Sequence, residues 1–465
     1  MTKSVNILHL TMTVALGGLL FGYDTAVISG ATGALTSFFQ LSSAELGFAA
    51  SSALIGCFIG AYSAGRLSAS QGRKGALIIA ALLFLISAIG TSIPDSYWVF
   101  VIFRIIGGIG VGIASMVSPM YIAEVAPPKK RGALVSCNQF AIIFGMLVVY
   151  FVNYGIALMG TEAWLNSVGW RYMFASECIP ALLFLGLLFT VPDTPRWLAM
   201  KGRNREAREL LTAINKGDCI EGQWKDIQAS LNETKGEVSI KALGMTGVLI
   251  IGIMLSVLQQ VTGINVVLYY APEIFKSFND AGTDVALLQT IMVGIVNLTF
   301  TVVAIKTVDK YGRRPLMMVG AGAMAIGMLA IGTAAYMNAI GGYLLFFMLL
   351  YIAAFALSLG PVVWVLLSEI FPNNIRSKAL SIAVFAQWFA NFVVSQTFPM
   401  MNDSKSYLYQ TFNGGFPFWL YGAFGIFTVF FVYKYVPETK GLSLEELESL
   451  WKKDKAQDLK PAKAN

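Results

Sequence analysis

The chain alternates long apolar stretches with short polar loops. Windows such as 75–93 and 343–367 are long enough to cross a bilayer core of about 30 Å as α-helices. A charged segment from about 193 to 243 separates six windows before it from six after it. The pattern therefore predicts an all-α membrane protein with twelve transmembrane helices, near 7–30, 46–65, 75–93, 98–122, 133–155, 172–191, 245–271, 285–305, 315–336, 343–368, 378–399 and 416–435.

The composition agrees with a membrane protein and excludes several other classes. The 465 residues are only 13% charged and have a mean hydropathy of +0.66, whereas soluble domains carry about 25% charged residues. Soluble enzymes, nucleic-acid binders and disulfide-framed secreted proteins are excluded on this ground. The four cysteines form no CxxC pair and His9 is the only histidine, so no metal or cofactor is expected. The first apolar stretch has no small-residue cleavage site and is expected to span the membrane.

Lysine and arginine alternate between loops as the positive-inside rule requires. Loops on one side hold nearly all of the 33 Lys and Arg residues, whereas the opposite loops hold only Arg171, Lys276 and Lys405. Both termini and the segment 193–243 are therefore expected in the cytoplasm. The formal net charge of +7 has this topological cause and needs no nucleic-acid partner.

Two cytoplasmic segments carry helical patterns of their own. The middle segment contains NREARELLTAI and EGQWKDIQASL, whose apolar spacing predicts a small helical bundle. After the last span, Ser443 and Glu446 form a capping-box pattern, and Leu444, Leu447 and Trp451 then share one stripe, which predicts a short amphipathic helix. The predicted domains are an N-terminal six-helix half, a cytoplasmic linker, a C-terminal six-helix half and a tail: 1–192, 193–243, 244–436 and 437–465.

An internal repeat relates the two halves. The features that recur at an offset of 245 residues are Glu124 and Glu369, Arg131 and Arg376, and the segments 191–194 and 436–439. The segments 72–74 and 312–314 match at an offset of 240. Each match lies at an equivalent cytoplasmic helix end, so the halves are expected to be parallel, pseudo-symmetric repeats. Such repeats occur in transporters that move two halves about a site near the membrane midplane.

The repeated charges admit two interpretations. They either satisfy helix ends at the membrane surface, or they act as latches between the halves on the closed cytoplasmic side. In both cases they are gating or folding elements rather than substrate contacts. The residues concerned are Glu124, Arg131, Asp309, Arg313, Glu369 and Arg376.

Six motifs together resemble the sugar porters of the major facilitator superfamily. They are GGLLFGYDTAVISG, RIIGGIGVG, PDTPRWL, QQVTGINVVLYYAP, DKYGRRP and PETKG, and the resemblance covers roughly residues 5 to 450. The segments SCNQFAIIFG, GWRYMFASECIPALLF and AQWFANF are most similar to the bacterial branch that imports D-xylose with a proton. The glycines of RIIGGIGVG are not a dinucleotide loop, since no strand precedes them. Small residues in a membrane helix permit close packing, and this is the expected role of these glycines.

Asp24 and Arg104 are ionisable residues inside predicted spans, where such side chains face the bundle interior and pair. The resemblance implies that they are neighbours and form the proton-coupling pair. Burial and the arginine charge act in opposite directions on the protonation of Asp24, so helix movement could load and unload its proton. The alternative is a permanent structural salt bridge. Glu177 is a second acid, which either relays protons or anchors a cytoplasmic network.

Amide and aromatic side chains inside the spans suit a sugar ligand. Amides both donate and accept hydrogen bonds, as sugar hydroxyls do, and aromatic rings cover the apolar faces of a pyranose. Isolated buried amides also serve as contacts between helices, but this set matches the family's pocket positions. The expected sugar-binding residues are Phe21, Gln139, Gln259, Gln260, Asn265, Tyr269, Asn297, Gly360, Trp364, Gln387 and Trp388.

Two positions depart from the pattern of the xylose carriers. Met146 stands where that pattern has a glutamine, and Leu359 replaces an aromatic residue. Both changes remove a polar contact or alter the shape of the pocket, which leaves the choice between a pentose and a hexose open. Fewer matched hydroxyls should also weaken binding, by about 1 kcal/mol for each lost hydrogen bond.

The resemblance implies a carrier, not an enzyme, that imports a monosaccharide with a proton by alternating access. D-xylose is the expected sugar; the alternatives are a proton symporter for D-glucose or another hexose, and a facilitative uniporter. A sugar sensor of the same fold is a rival from another class, but the tail after the last span is short for an effector region. The carrier is expected to act as a monomer in a bacterial inner membrane.

Overall fold

The chain folds into α-helices. The computed structural model describes residues 6–127, 130–215, 220–233, 246–279, 282–339, 341–371 and 376–440. Within these ranges every regular element is helical, as the sequence predicts. The amphipathic tail helix predicted at Ser443–Trp451 lies outside the described residues.

Residue contacts divide the chain into two compact units. Unit 1 comprises Met1–Gly236, Val266–Leu298 and Ser395–Met400, and unit 2 comprises Glu237–Asn265, Thr299–Val394 and Met401–Asn465. The domain boundaries predicted from the repeat stay a prediction.

The first half of the chain forms long helices joined by short turns. Ser42 caps the second of them in a reciprocal capping box, in which the Ser42 N–H donates to Glu45 Oε2 at 2.9 Å. The helices, numbered in chain order, are α1 (Ile7–Phe39), α2 (Ser43–Ser92), α3 (Tyr97–Val125), α4 (Arg131–Ala157), α5 (Glu162–Trp164), α6 (Trp170–Ala175) and α7 (Cys178–Leu188). A π-helical turn at Leu165–Gly169 joins α5 to α6.

The second half continues with helices that are more often broken. They are α11 (Thr246–Val261), α12 (Ile264–Asn279), α13 (Thr283–Tyr311), α14 (Arg313–Tyr336), α15 (Tyr343–Leu357), α16 (Leu359–Ile370), α17 (Arg376–Met401), α18 (Tyr407–Phe412) and α19 (Phe416–Tyr435). The breaks after Val261 and Leu357 lie among the predicted sugar-binding residues.

Eleven helical segments among the described residues are long and apolar enough to cross a membrane. One of them, α2, has 50 residues and is about 75 Å long at 1.5 Å per residue. That length is more than twice a bilayer core of about 30 Å. Because α2 contains the predicted spans 46–65 and 75–93, the chain has the twelve spans that the sequence predicts, and it is a multi-pass membrane protein.

Gly72 turns the chain between the two spans of α2. Its φ of 88° and ψ of 164° are non-helical, in a region that only glycine enters readily. A Cβ at this position would also lie 2.1 Å from Asp193 Oδ2. Both conditions require glycine, and Gly312 repeats them with a φ of 89° and a Cβ position 2.6 Å from Glu438 Oε2.

We expect Gly72→Ala to destabilise the protein by about 2 kcal/mol, because the backbone strain alone is worth about 1–3 kcal/mol. Gly65→Ala is the matched control: Gly65 lies in the same helix, and a Cβ there would meet nothing within 4 Å. We expect it to be neutral or stabilising by up to about 1 kcal/mol. The unfolding transition of each variant in detergent measures the difference, and equal transitions would show that the turn does not require glycine.

The middle segment forms the predicted small helical bundle. It contains α8 (Pro195–Met200), α9 (Asn204–Ile214) and α10 (Glu221–Glu233), and the last two coincide with the two helical patterns in the sequence. Leu198, Ala199 and Ala207 form its buried core, against which Trp197, Leu210, Trp224, Ile227 and Leu231 pack.

The glycines of the third helix allow close packing of α2 and α3. A Cβ at Gly108 would lie 1.8 Å from the carbonyl oxygen of Ala53. Since the two backbones touch here, the packing interpretation of RIIGGIGVG is confirmed. The close approach also fixes the position of Arg104, one turn earlier on α3.

Candidate functional site

A buried ion pair joins α1 to α3. Arg104 Nη1 lies 3.1 Å from Asp24 Oδ1, and each side chain is only 1% exposed. The same nitrogen donates a hydrogen bond to the carbonyl oxygen of Asp24 at 3.0 Å. The two residues that the sequence predicts to pair are therefore in direct contact. Buried pairs of this kind do little for stability, because desolvation opposes the Coulomb attraction.

A second buried acid completes this cluster. Glu177, between α6 and α7, is 1% exposed and lies close enough to interact electrostatically with both Asp24 and Arg104. Next to it on the chain, Ser176 Oγ lies 2.7 Å from the hydroxyl of Tyr23. Arg104 can neutralise only one of these two buried carboxylates, and an unpaired buried charge is costly. The cluster can therefore hold a proton that one acid and one arginine would not.

An amide cluster lies where two helices of unit 2 are broken. Gln259 Oε1 accepts hydrogen bonds from Gln387 Nε2 at 2.8 Å and from Gln260 Nε2 at 3.2 Å. Asn265 Nδ2 donates to Gln260 Oε1 at 2.6 Å. Four of the predicted sugar-binding residues therefore form one hydrogen-bonded cluster, which we call the amide cluster.

Backbone breaks hold the amide cluster in place. Gly263, with a φ of 95°, separates α11 from α12 and so places Gln260 beside Asn265. Ser358 has the non-helical φ and ψ of −128° and −95° and separates α15 from α16. Gln259 Nε2 donates to the carbonyl oxygens of the two residues that follow, Leu359 at 2.7 Å and Gly360 at 3.1 Å. The helix-breaking residues Gly360 and Pro361 follow directly, two and three residues after Ser358.

The remaining predicted sugar-binding residues are divided between the two units. In unit 2, Trp388 is 7% exposed beside Gln387, and Trp364 is 38% exposed on α16. In unit 1, Tyr269 and Asn297 are buried, whereas Phe21 and Gln139 are partly buried. These assignments stay a prediction. Both departures from the xylose pattern, Met146 and Leu359, are buried.

A charged cluster holds the C-terminal end of α3. Glu124 forms a bidentate pair with Arg73, with Nη2–Oε1 at 2.8 Å and Nε–Oε2 at 3.0 Å. Thr194 Oγ1 donates to Glu124 Oε2 at 2.5 Å, and Asp193 Oδ1 accepts from the Arg73 N–H at 2.8 Å. Burial raises the pKa of Asp193, although hydrogen bonds from the backbone N–H groups of Arg73, Lys74 and Thr194 act to lower it. We call this arrangement the first charged node.

The second charged node repeats the first in unit 2. Arg313 Nη2 lies 2.8 Å from Glu369 Oε1, and Thr439 Oγ1 donates to Glu369 Oε2 at 2.5 Å. Glu438 Oε1 accepts from the Arg313 N–H at 3.0 Å. Partial burial acts to raise the pKa of Glu438, but four backbone N–H groups together hold it below its ordinary value. The arginine–glutamate pair, the threonine hydroxyl on that glutamate and the carboxylate on the arginine N–H therefore recur in both nodes, as the sequence repeat indicates.

The sequence predicts no particular partner for Glu124. In the structure Glu124 pairs with Arg73, and Arg131 is exposed in the first turn of α4. Seven residues separate Glu124 from Arg131, and the helix ends between them, so the two side chains do not share a helix face. The side chains of Asp309 and Arg376 lie outside the described part. Arg73, Asp193, Thr194, Glu438 and Thr439 were not among the candidates, although the repeated segments contain all five.

These features define a membrane carrier with two repeated charged nodes, a buried acid–arginine cluster and an amide cluster. The profile of the family described as "Sugar (and other) transporter" matches residues 10–451. The chain therefore belongs to this family, and it has the major facilitator fold that the sequence predicts.

Curated relatives and solved structures agree with this assignment over nearly the full length. The chain is 54% identical to the D-xylose-proton symporter of Escherichia coli K12, covering 97% of this chain and 96% of that protein. It is 41% identical to the arabinose-proton symporter of Bacillus subtilis (96% and 95% covered) and 39% identical to the glucose facilitated diffusion protein of Zymomonas mobilis (96% and 98%). The inward-open structure of the E. coli xylose transporter XylE aligns with a TM-score of 0.84 at 53% identity, over 96% of this chain and 100% of that chain.

Proposed function

We propose that the protein imports a monosaccharide together with a proton, with D-xylose as the substrate. The observation that supports proton coupling is the buried ion pair of Arg104 with Asp24. Glu177 is a second buried acid close to this pair. A charged cluster of this kind inside a membrane is expensive and marks a proton or substrate path. The choice of D-xylose rests on the similarity to the E. coli xylose symporter.

The amide cluster is the proposed sugar contact. Gln259, Gln260, Asn265 and Gln387 hydrogen-bond one another in the absence of a ligand. Each amide oxygen has two lone pairs and each amide nitrogen two hydrogens, so the cluster keeps capacity for sugar hydroxyls. Trp364 and Trp388 are proposed to cover the apolar face of the sugar. Phe21, Gln139, Tyr269 and Asn297 are proposed to complete the contacts.

Two alternatives share the fold. Met146 and Leu359 are apolar at positions where the xylose pattern has a polar and an aromatic residue. A pocket with these two changes suits a hexose better than a pocket that keeps the xylose pattern. The glucose facilitated diffusion protein among the relatives represents the uniporter alternative. The presence of Asp24 favours proton coupling, because burying an acid inside the membrane costs free energy and a uniporter does not need a group that binds a proton.

The proposed location is a bacterial inner membrane with both termini in the cytoplasm. The bias of Lys and Arg supports this orientation, since the loops on the other side hold only Arg171, Lys276 and Lys405. The charged nodes and the helical bundle of α8–α10 then lie on the cytoplasmic side.

Proteoliposomes with an imposed inward proton gradient test the proposed function. We expect labelled D-xylose to accumulate above its external concentration, and a protonophore to abolish that accumulation. Accumulation of D-glucose but not of D-xylose would keep the mechanism and change the substrate. Equilibration of either sugar without accumulation would refute coupling and leave a uniporter.

A further inference from the structure

A polar cleft with a volume of about 120 Å³ opens in unit 1. Its walls come from the last turns of α1, from the turn at 162–166, and from the facing ends of α12 and α13. The cleft meets α1 from Ser29 to Ser37, beginning more than one turn after Asp24. None of its lining residues belongs to the acid–arginine cluster or to the amide cluster.

The polar lining offers both donors and acceptors. It includes the hydroxyls of Ser37 and Thr283, the amide of Asn166, the carboxylates of Glu162 and Glu273 and the ammonium of Lys276. Leu165, Pro272 and Leu287 supply an apolar wall. A concave site with apolar walls and a few converging polar groups is the usual form of a small-molecule site.

The charged groups of the cleft are only lightly used by the protein itself. Glu273 Oε1 accepts one hydrogen bond, from Thr32 Oγ1 at 3.2 Å, and Lys276 Nζ is 3.9 Å away from it, beyond hydrogen-bond distance. The contact of Thr283 with Glu162 is long, at 3.5 Å. A carboxylate has about four acceptor positions, so Glu162 and Glu273 keep most of theirs for a ligand.

The balance of charge selects the class of ligand. An anion would meet two carboxylates and one ammonium, which repel it overall. A metal cation would meet Lys276, and the described residues hold no group of three or more His, Cys, Asp or Glu side chains that could bind one. A neutral molecule with many hydroxyls satisfies both the carboxylates and the ammonium, and its C–H faces fit the apolar wall.

We propose that this cleft is a second monosaccharide site, at which the sugar docks on the extracellular side before transport. The inference rests on the proposed function for the identity of the sugar and for the orientation, since Lys276, in the last turn of α12, is one of the basic residues assigned to the outer side. Charge-assisted hydrogen bonds from sugar hydroxyls to Glu162 and Glu273 provide most of the binding.

Protection of an introduced cysteine tests the site directly. Ser37 is exposed and lines the cleft, so a Ser37→Cys protein can be labelled from outside with a membrane-impermeant maleimide. The matched control is Ala163→Cys, which is exposed but does not line the cleft. The unmodified protein measures labelling of its own cysteines. D-xylose is the probe, with an equal osmolarity of betaine as the control solute.

We expect D-xylose to slow labelling of Ser37→Cys at least threefold and to leave Ala163→Cys unaffected. The protection should persist when Gln259→Ala disables the amide cluster, because the two sites share no residue. Adding Glu273→Gln should raise the half-protecting sugar concentration about fivefold, since a hydrogen bond to a charged group is stronger than one to a neutral group by about 1 kcal/mol. Asn166→Ala is a second lining variant, for use if Glu273→Gln is poorly expressed.

Three outcomes would overturn the cleft site. The first is no protection of Ser37→Cys by D-xylose in a protein that still transports it, which leaves the proposed function intact. The second is protection that disappears with Gln259→Ala, which would show that occupancy of the amide cluster closes the cleft indirectly. The third is equal protection by betaine. Absence of uptake by the unmodified chain is a separate result and counts against the proposed function.

Discussion

Asp24→Asn is expected to abolish accumulation of sugar while the protein still exchanges sugar across the membrane. The variant keeps the size of the side chain but can no longer bind and release a proton. Without a titratable group in direct contact with Arg104, the proton gradient has no means of driving the transport cycle. The ratio of internal to external sugar in proteoliposomes should fall to one, and counterflow of labelled sugar without a gradient should persist.

Loss of folding must be separated from loss of coupling in this variant. Breaking a buried ion pair commonly costs about 3–5 kcal/mol, because the remaining charge lacks a partner. Here Glu177 lies in the same cluster and can still compensate Arg104, so we expect a folded protein. Asp95→Asn is the control: it also removes an acid paired with arginine, but its side chain is 88% exposed. Exposed pairs contribute about 1 kcal/mol or less.

Accumulation that survives Asp24→Asn would show that the pair is a structural salt bridge. Glu177→Gln then separates the two roles left open for the second acid. If Glu177 relays protons, its variant loses accumulation at an unchanged unfolding temperature. If it anchors the structure, the unfolding temperature falls while accumulation remains.

The arrangement of helices could be predicted from the sequence because hydrophobic length and charge bias act locally. A window of about twenty apolar residues must cross the bilayer whatever surrounds it, and this is why the twelve spans are recovered. The helices of the linker follow for a similar reason, since their apolar spacing is local. The two spans of α2 merge into one element, because the loop between them is itself helical up to the turn at Gly72.

Side-chain partners could be predicted less well, because tertiary contacts decide them. The pairing of Asp24 with Arg104 follows from the sequence, since Arg104 is the only arginine or lysine in the interior of a predicted span, whereas Lys378 and Lys434 lie at span ends. Glu124 had several basic residues within reach, and the partner that the fold selects, Arg73, lies 51 residues away in sequence. The repeat at 191–194 and 436–439 contained the signal, since matched charges at matched helix ends indicate matched contacts.

The amide cluster contains contacts that the local sequence determines and contacts that only the tertiary fold determines. Gln259, Gln260 and Asn265 lie on either side of Gly263, so a local helix break is enough to bring them together. Gln387 joins them from 128 residues away, and only its position in the family pattern indicated that. The hydrogen bonds from Gln259 to the carbonyls of Leu359 and Gly360 could not be predicted, because they depend on the unusual backbone of Ser358.

Gln259→Ala is expected to raise the KM for sugar by about 10–100-fold with a smaller change in kcat. Gln259 makes four hydrogen bonds, two to carbonyls beside Ser358 and two from the neighbouring amides. These four bonds use both hydrogens and both lone pairs of the Gln259 amide, so its loss acts on the sugar through Gln260 and Gln387, which lose their fixed orientation. Two to three lost hydrogen bonds at about 1 kcal/mol each correspond to this range. Initial rates of exchange over a range of sugar concentrations measure KM and kcat separately.

Buried amides can also act only as contacts between helices, and this role gives a different result. A structural Gln259 would lower the unfolding temperature and the amount of folded protein, while the KM of the surviving protein stayed unchanged. Gln410→Ala is the matched control, because it removes an exposed amide from α18 in the same unit, and we expect it to change neither quantity. An unchanged KM in Gln259→Ala would remove the amide cluster from the sugar site, whatever its effect on stability. A raised KM at an unchanged unfolding temperature would assign Gln259 to sugar binding, since packing alone does not alter affinity for a ligand.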